Sequence, residues 1–447
     1  MTKETISINN LKKLILKITM NNQIFSYYKI IITGIIISIF SIVQVFAQSN
    51  FPSNFPDRIV LNLTEDPSTS MAITWRTDTT IQTSYCELQF ATDTRINPKD
   101  SKSFEAKTIS VEYSSESEPT VLANQHSHIF VGLNPGAKYI YRVGSKENWS
   151  EWFQFQTPST SDNEYSFIYF GDPQTSLRSE CSRVIRKAYQ QSPNSGFMLY
   201  AGDLINRAGR DTEWQGWFDA GSFIYATIPQ IMTPGNHDYQ DLTLDPHWNS
   251  QFTLPKNGPA GLDGTCYFID YKNLRMITID SATDGELEHE SGMAMTSQKI
   301  WLDSVLTNNP KKWTILSTHL PFYSPKKSRD NKHLRKHFQP IIEKHGVDMV
   351  LTGHDHSYGR GIASDNPDIE PSIVYIVSVS GPKLYSAGDK DWMQISIPYT
   401  QLYQVISIKD NMLTYEAYSA SGKLLDKLKL KKLKDGANKF YELKPNN

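Results

Sequence analysis

Five short apolar segments of this chain each lead to a side chain of the kind that binds metal ions, and this repeated arrangement limits the possible folds more than any other feature. Short apolar runs bounded by Gly, Pro or polar residues predict buried strands. Two cations held close together need about this set of oxygen and nitrogen donors, so the segments predict one binuclear metal site. The segments end at Asp172, Asp203, Asn236-His237-Asp238, His319 and His354-Asp355-His356.

Segments with helical spacing separate several of these predicted strands. Strands that alternate with helices indicate an α/β fold with a largely parallel sheet. Ligands of such a sheet lie outside the carboxyl ends of its strands, where each candidate ligand stands, so we expect the metal site at one rim of a single sheet. The helical segments carry Val184, Ile185, Ala188 and Tyr189, then Ile300, Trp301, Val305 and Leu306, then Leu334, Phe338, Ile341 and Ile342.

The ordered series GD, GD, GNHD, H and GHxH resembles the calcineurin-like metallophosphoesterases, and among them most closely the purple acid phosphatases. The resemblance covers nearly everything after Asn50. It implies an α/β (α+β) metallophosphoesterase sandwich preceded by an all-β, fibronectin III-like sandwich domain. It also implies an enzyme, an acid phosphatase-like phosphoric monoester hydrolase that holds two divalent or trivalent metal ions, either Fe, Zn or Mn.

The same resemblance implies a ligand set for each metal, with Asp203 as the bridge. The first metal would be held by Asp172, Asp203 and His356, and the second by Asp203, Asn236, His319 and His354.

Two positions depart from the family pattern. Asn206 stands where purple acid phosphatases have a tyrosine, and Gln174 stands where other metallophosphoesterases have a histidine. The amide oxygen of either residue is a possible additional metal ligand. The alternative for both is hydrogen bonding within the loop.

Hydrolysis of a phosphate ester needs a stronger nucleophile than neutral water, and a metal-activated hydroxide meets that need. The departing alkoxide then needs a proton or a positive group. We assign this role to His237, which is next to the predicted ligand Asn236 and whose side chain we expect to point in a different direction from that ligand. Asp238 either orients His237 or caps the turn.

Two residues beyond the series are candidate substrate contacts. Tyr323, four residues after His319, either lines the substrate pocket or packs as a buried aromatic. Arg329 lies in a basic stretch, Lys326 to His337, that either contacts phosphate or forms a solvated helix start.

The N-terminus resembles an export signal. Several lysines precede an apolar stretch from Ile30 to Phe46, and Val45-Phe46-Ala47 fits a cleavage site. We therefore expect a signal peptide at residues 1–47 and a secreted or periplasmic protein with no stable membrane partner after cleavage. Because the apolar stretch is long, an uncleaved membrane anchor is the alternative.

Charge and cysteine content narrow the function further. The first 47 residues hold five Lys and one Glu, so their removal changes 45 basic and 47 acidic residues to 40 and 46. This mildly acidic balance gives no reason to expect nucleic acid binding. The widely spaced Cys86, Cys181 and Cys266 fit neither a zinc knuckle nor a disulfide scaffold, and we expect them to be mostly buried.

The chain divides by pattern into a β domain at residues 55–158 and a catalytic domain at 164–435. The first has short strands and turns, a buried Trp75 and no catalytic cluster. We therefore expect it to pack against the catalytic domain or to position it, with carbohydrate or surface binding as the alternative. The Lys-rich segment Lys423 to Lys434 suggests an exposed edge strand near the C-terminus.

These observations predict a secreted binuclear phosphatase that acts on a phosphorylated small molecule or phosphoprotein. One alternative is a phosphodiesterase or nucleotide hydrolase with the same site. The other is a non-catalytic surface-binding protein whose metal site has decayed.

Overall fold

The computed structural model describes residues 51–282 and 293–443, together with Lys13 alone. Apart from Lys13 and Phe51, these residues belong to one unit, Pro52–Asn447. The expected signal segment, residues 1–47, lies outside the described residues except for Lys13. No helix in the described part of the chain has both the length and the apolar character that crossing a bilayer requires.

The N-terminal region consists of strands that form two packed layers. Trp75 is fully buried between the layers, and its Nε1 donates a hydrogen bond to Ser84 at 3.0 Å. One layer is an antiparallel sheet in the order β4-β3-β7-β8, and the other contains β1, β2, β6 and β5. These strands are β1 (Asp57–Asn62), β2 (Ser70–Thr77), β3 (Tyr85–Phe90), β4 (Lys102–Glu105), β5 (Lys107–Ser115), β6 (Glu118–Val131), β7 (Lys138–Gly144) and β8 (Phe153–Gln156).

The rest of the described chain alternates strands with helices before ending in strands. The strands are β9 (Glu164–Phe170), β10 (Met198–Ala201), β11 (Gln230–Thr233), β12 (Tyr239–Gln240), β13 (Thr243–Leu244), β14 (Tyr267–Tyr271), β15 (Leu274–Thr278), β16 (Trp313–Ser317), β17 (Met349–Thr352), β18 (Tyr358–Ile362), β19 (Val374–Val377), β20 (Ile395–Ile397), β21 (Leu402–Lys409), β22 (Met412–Ser419), β23 (Leu424–Lys432) and β24 (Asn438–Glu442). The helices are α1 (Ser182–Gln191), α2 (Asp211–Gly221), α3 (Pro246–Gln251), α4 (Met293–Thr307) and α5 (Lys332–Lys344). The three predicted helical segments are confirmed as α1, α4 and α5.

The expectation of a single, largely parallel sheet is wrong. The described strands form an eleven-stranded sheet, β24-β23-β22-β21-β9-β10-β11-β1-β2-β6-β5, and a seven-stranded sheet, β14-β15-β16-β17-β19-β18-β20. Parallel pairing is confined to the centre of each sheet, and the flanking strands are antiparallel. An apolar run that ends in a ligand has the same sequence pattern in either sheet, so the pattern does not show which strands pair.

The two sheets pack face to face with helices outside them. Along β16, Ile315 belongs to the core between the sheets, whereas Leu316 belongs to the cluster that α4 and α5 cover. Successive residues of a strand point to opposite faces, so this alternation places a helical layer beyond the seven-stranded sheet. Val184 of α1 belongs to the same buried cluster as Ile315. The described residues therefore form a layered α+β sandwich with a β domain in front, as expected.

The Lys-rich segment near the C-terminus is a strand but not an edge strand. β23 pairs with β22 on one side and with β24 on the other. The edge strand is instead β24, which lies beyond the predicted end of the catalytic domain at residue 435. The three cysteines are buried, as expected, and none of them forms a disulfide.

The β domain and the catalytic region share one sheet. β1 pairs with β11 in parallel, through Asn62 and Gln230, and β1 also pairs with β2 of the β domain. Beside this seam the Tyr141 hydroxyl donates to the Ala226 carbonyl at 2.6 Å. The sheet therefore continues from the catalytic strands into the β domain.

A buried ionic network also joins the two regions. The Asp211 carboxylate, at the start of α2, forms ion pairs with Arg58 Nη1 at 2.8 Å and with Arg76 Nη1 at 3.3 Å. Both arginines come from the β domain. His247 Nε2 lies 3.2 Å from the same carboxylate. Burial would raise the pKa of Asp211, but the His247 hydrogen bond and the two arginine charges hold that pKa below its usual value of 3.8.

Replacing this carboxylate should weaken the seam in a way that depends on pH. We expect Asp211→Asn to lower the free energy of unfolding at pH 7 by about 2 kcal/mol, since hydrogen bonds to charged groups contribute on this order. The pKa is depressed in the folded state, so the carboxylate stabilises the protein above about pH 4, and its contribution is lost as the pH falls further. Urea unfolding at pH 7 and at pH 3 should therefore show a smaller difference between variant and wild type at pH 3.

The matched control is Asp93→Asn, at an exposed aspartate of the β domain that lies outside this network. This change should alter stability little at either pH. An Asp211→Asn deficit of the same size at both pH values would show that the ionic network does not account for the effect.

Candidate metal centre

The candidate ligands follow strands that end at the same rim of the two facing sheets. Asp172, Asp203 and Asn236 come two or three residues after β9, β10 and β11, which are parallel neighbours. His319 and His354 come two residues after β16 and β17, which are parallel neighbours in the other sheet. Each sheet therefore contributes one half of the donor set.

These side chains converge into two groups of donor atoms. One group consists of Asp203, His319 and His354, and the other of Asp172, Asp203 and His356. Within each group the donor atoms lie within 4.8 Å of one another. Asn236 joins the first group, since its Oδ1 lies 3.0 Å from His319 Nε2. The structure thus brings all six sequence-predicted ligands together, and Asp203 belongs to both groups.

Backbone strain and close glycine contacts accompany this convergence. Non-glycine residues rarely adopt positive φ, and such conformations cluster at functional sites. Glycines precede four of the ligands where a side chain would collide: for example, a Cβ at Gly353 would lie 2.4 Å from Asp172 Oδ2, and one at Gly235 would lie 2.3 Å from Asp203 Oδ1. The ligand positions with positive φ are Asp172 (38°), Asp203 (53°), His354 (72°) and His356 (50°).

Backbone carbonyls orient two of the histidines. His319 Nδ1 donates to the Ala201 carbonyl at 2.9 Å, and His356 Nδ1 donates to the Lys383 carbonyl at 2.6 Å. Each contact fixes the tautomer and leaves Nε2 free to bind a cation, as is usual for metal-binding histidines. His319 Nε2 lies 3.3 Å from Asp203, and His356 Nε2 lies 3.6 Å from Asp172.

The electrostatics of the site fit bound cations. Asp172 and Asp203 are almost fully buried, and neither forms an ion pair with a lysine or arginine among the described residues. Burial raises the pKa of Asp172 well above its usual value. Burial lowers the pKa of His319, but the nearby Asp203 and Asp172 carboxylates outweigh it and raise that pKa to about 10. Two buried carboxylates among imidazoles and an amide form a donor set that suits Fe, Zn or Mn.

Gln174 and Asn206, the two residues that depart from the family pattern, both have hydrogen-bond partners. Gln174 Nε2 donates to Asp203 Oδ2 at 2.8 Å, while Gln174 Oε1 accepts from Lys383 Nζ at 2.9 Å. Both contacts fix the orientation of the amide, and its oxygen is already engaged, so the geometry favours a positioning role over metal binding. The Asn206 carbonyl accepts His237 Nδ1 at 2.7 Å. The described contacts of Asn206 are therefore those of its backbone.

Asp238 caps the turn and does not orient His237. Its carboxylate accepts hydrogen bonds from the backbone N–H of Gly235 at 2.8 Å and of Leu204 at 3.2 Å. Of the two roles predicted for Asp238, capping the turn is the observed one, because the Asn206 carbonyl occupies the position that would orient the imidazole. His237 itself lies beside the bridging position, with its backbone N–H donating to Asp203 Oδ1 at 2.9 Å.

The structure separates the two candidate substrate contacts. Tyr323 is buried against Tyr375, and its hydroxyl bonds with Gln339 and Asp365, so the packed alternative is the observed one. Arg329 is 27% exposed and donates to Asp355 at 2.6 Å, between the two histidines of the last motif. Arg329 therefore lies near the metal centre, and its contact with phosphate stays a prediction.

Sequence reasoning did not identify Lys383 or the carbonyl of Asn206. Lys383 contributes twice, through its carbonyl to His356 and through its ammonium to Gln174. It lies 27 residues after His356 in a segment without periodicity, so no local pattern marks it. A backbone carbonyl is present at every residue and leaves no sequence signal at all.

Comparison with known proteins agrees with this geometry. Residues 56–157 match the family model described as purple acid phosphatase, N-terminal domain, and residues 165–358 match calcineurin-like phosphoesterase. Acid phosphatase type 7 of Homo sapiens is 25% identical over 329 residues, covering 69% of this chain and 71% of that protein. Fe(3+)-Zn(2+) purple acid phosphatase 12 of Arabidopsis thaliana is 27% identical over 259 residues, covering 53% and 52%.

The fold has a counterpart among solved structures. The purple acid phosphatase PPD1 from yellow lupin (Lupinus luteus) seeds superposes with a TM-score of 0.68 at 15% identity, covering 86% of this chain and 75% of that one. This similarity shows a metallophosphoesterase fold. The chain spans about half the length of most of the curated relatives that it matches.

Proposed function

The chain is a calcineurin-like phosphoesterase of the purple acid phosphatase type, and from that membership we propose that it hydrolyses phosphomonoesters at a centre of two metal ions. The observation that carries the proposal is the presence of Asp203 in both groups of donor atoms. A carboxylate shared in this way can hold two cations at the separation that phosphatases use.

Asp203 would bridge the two cations, and each of the other ligands would bind one of them. When bound, the cations lower the pKa of a water molecule and offset the charge on the phosphoryl oxygens. The first cation would be held by Asp172, Asp203 and His356, and the second by Asp203, Asn236, His319 and His354. Gln174 and Lys383 would position Asp203 and His356 without binding metal.

His237 has the proton-transfer role in this proposal. His237 Nδ1 donates a hydrogen bond to the Asn206 carbonyl, so Nε2 is the atom that can carry a proton to the leaving group. In the reaction, a water oxygen bonds to phosphorus, the bond from phosphorus to the leaving-group oxygen breaks, and that oxygen takes a proton. The products are inorganic phosphate and an alcohol.

An assay of the whole protein tests this function. Protein collected outside the cytoplasm is supplied with Mn, Zn or Fe, its bound metals are counted, and 4-nitrophenyl phosphate is compared with bis(4-nitrophenyl) phosphate. We expect about two metals per chain and faster turnover of the monoester. An N-terminus at Gln48 would support the proposed export signal.

Each other outcome favours a different function. Faster turnover of the diester would point to the phosphodiesterase alternative. A metal content near zero with no turnover of either substrate would revive the non-catalytic alternative.

A further inference from the structure

A cleft of about 850 Å³ opens beside the metal centre. Asn236 and His237 lie in its wall, so its contents would sit next to the leaving-group side of the proposed reaction. Another part of the wall is the tip of the β5–β6 hairpin, residues 114–117, which comes from the β domain. Arg207 and Arg210 also line the cleft. A volume of this size matches a small organic ligand and exceeds what a phosphate group needs.

The hairpin tip is fixed in place by contacts on both sides. Before the tip, the Tyr113 ring stacks on His247 at 3.6 Å, and its hydroxyl bonds with Ser250 at 2.7 Å. After the tip, the Glu118 carboxylate accepts the Thr212 backbone N–H at 3.2 Å and also its hydroxyl. Both anchors lie on the catalytic region. The tip is therefore a preorganised wall of the cleft.

The cleft has cationic groups available for a ligand. Arg207 is exposed, and within the described chain its guanidinium has no hydrogen-bond or ion-pair partner. Arg210 has only a distant contact, 4.0 Å to Glu213. Glu213 is further occupied by the backbone N–H groups of Asn206 and Arg207. Guanidinium groups recognise phosphate and carboxylate through paired hydrogen bonds.

Resting on the proposed function, we propose that this cleft binds the leaving group of the substrate and selects leaving groups that carry an anionic group of their own. Arg207 and Arg210 recognise that second anionic group, and the hairpin tip of the β domain limits the size of the leaving group. The β domain thus takes part in substrate selection. The anionic group is a phosphate or a carboxylate, which the same guanidinium geometry accepts.

Matched substrates test the charge selection. We compare kcat/KM for phenyl phosphate with that for 4-carboxyphenyl phosphate, and for fructose 6-phosphate with that for fructose 1,6-bisphosphate, in the full-length protein with its metals. In Arg207→Gln the preference for the anionic member of a pair should fall by about 10-fold, mainly through KM. The pair with the larger drop identifies carboxylate or phosphate as the preferred group.

The control is Arg95→Gln, at an exposed arginine outside the cleft. Equal losses on both members of each pair in Arg207→Gln, or an equal change of preference in Arg95→Gln, would overturn the proposal. A wild-type protein that hydrolyses none of the four substrates would instead overturn the proposed function.

A second variant tests the hairpin. Ser115→Trp would place a large side chain in the cleft, and Ser421→Trp places the same residue at the distant β22–β23 turn. We expect Ser115→Trp to lower the ratio of kcat/KM for naphthyl phosphate over that for phenyl phosphate by about 10-fold, which is less than the roughly 10²-fold loss that a misplaced substrate can suffer. An unchanged ratio would show that the hairpin does not limit the leaving group.

Discussion

Replacing Asp203 with asparagine is expected to lower kcat/KM by roughly 10³-fold or more and to reduce the number of bound metals. Asp203 is the one side chain shared by both groups of donor atoms, so its charge acts on both cations. Two-metal sites supply several kcal/mol of transition-state stabilisation, and each 1.4 kcal/mol is about a tenfold change in rate. Steady-state kinetics with 4-nitrophenyl phosphate and elemental analysis measure the two effects.

The control for this change is Asp368→Asn, at an exposed aspartate of the catalytic region. It should keep the wild-type rate and metal content. Circular dichroism of Asp203→Asn should show an unchanged fold, because the asparagine is the same size. Should the variant retain both metals and full activity, the assignment of Asp203 as the shared ligand would be wrong.

Replacing His237 with glutamine is expected to slow poor leaving groups much more than good ones. General acid catalysis typically contributes about 10² to 10⁴-fold, and its contribution is greatest when the departing oxygen is most basic. We therefore expect a loss of roughly 10³-fold in kcat/KM for an alkyl phosphate and of only about 10-fold for 4-nitrophenyl phosphate. The measurement is the slope of log kcat/KM against leaving-group pKa, which should become steeper in the variant.

His128→Gln, in the β domain, is the control, and it should leave that slope unchanged. An equal loss in His237→Gln for every leaving group would mean that the histidine does not deliver the proton. Metal content also distinguishes the roles, since His237→Gln should keep both ions.

The metal ligands could be predicted from the sequence because each lies in a local pattern. An apolar strand followed by a ligand at the next turn is visible in ten residues, and it correctly placed Asp172, Asp203 and His354 at strand ends. The pairing of those strands is a long-range property. The donors on β16 and β17 have the same local appearance as those on β9 and β10, although they belong to a different sheet.

Contacts made by backbone atoms or across long sequence separations were not predictable. The Asn206 carbonyl fixes the tautomer of His237, whereas the sequence pattern marks only the Asn206 side chain. The hairpin tip lies about 90 residues before Arg207 and reaches the cleft through tertiary packing alone. For Asp238 and Tyr323 the sequence leaves a functional and a structural role open, and the structure shows the structural role in both cases.

The strand pairing between Asn62 and Gln230 limits how this chain can be cut. A fragment that began at the sequence boundary near Asn163 would lack β1, so one edge of β11 would be unpaired. The carbonyls of Tyr225 and Ala226 would also lose their hydrogen-bond donors. Bare strand edges of this kind promote aggregation. The β domain and the catalytic region look like separate modules in the sequence, but neither can be exchanged or deleted independently of the other. Engineering of the active site must therefore keep the β domain in place.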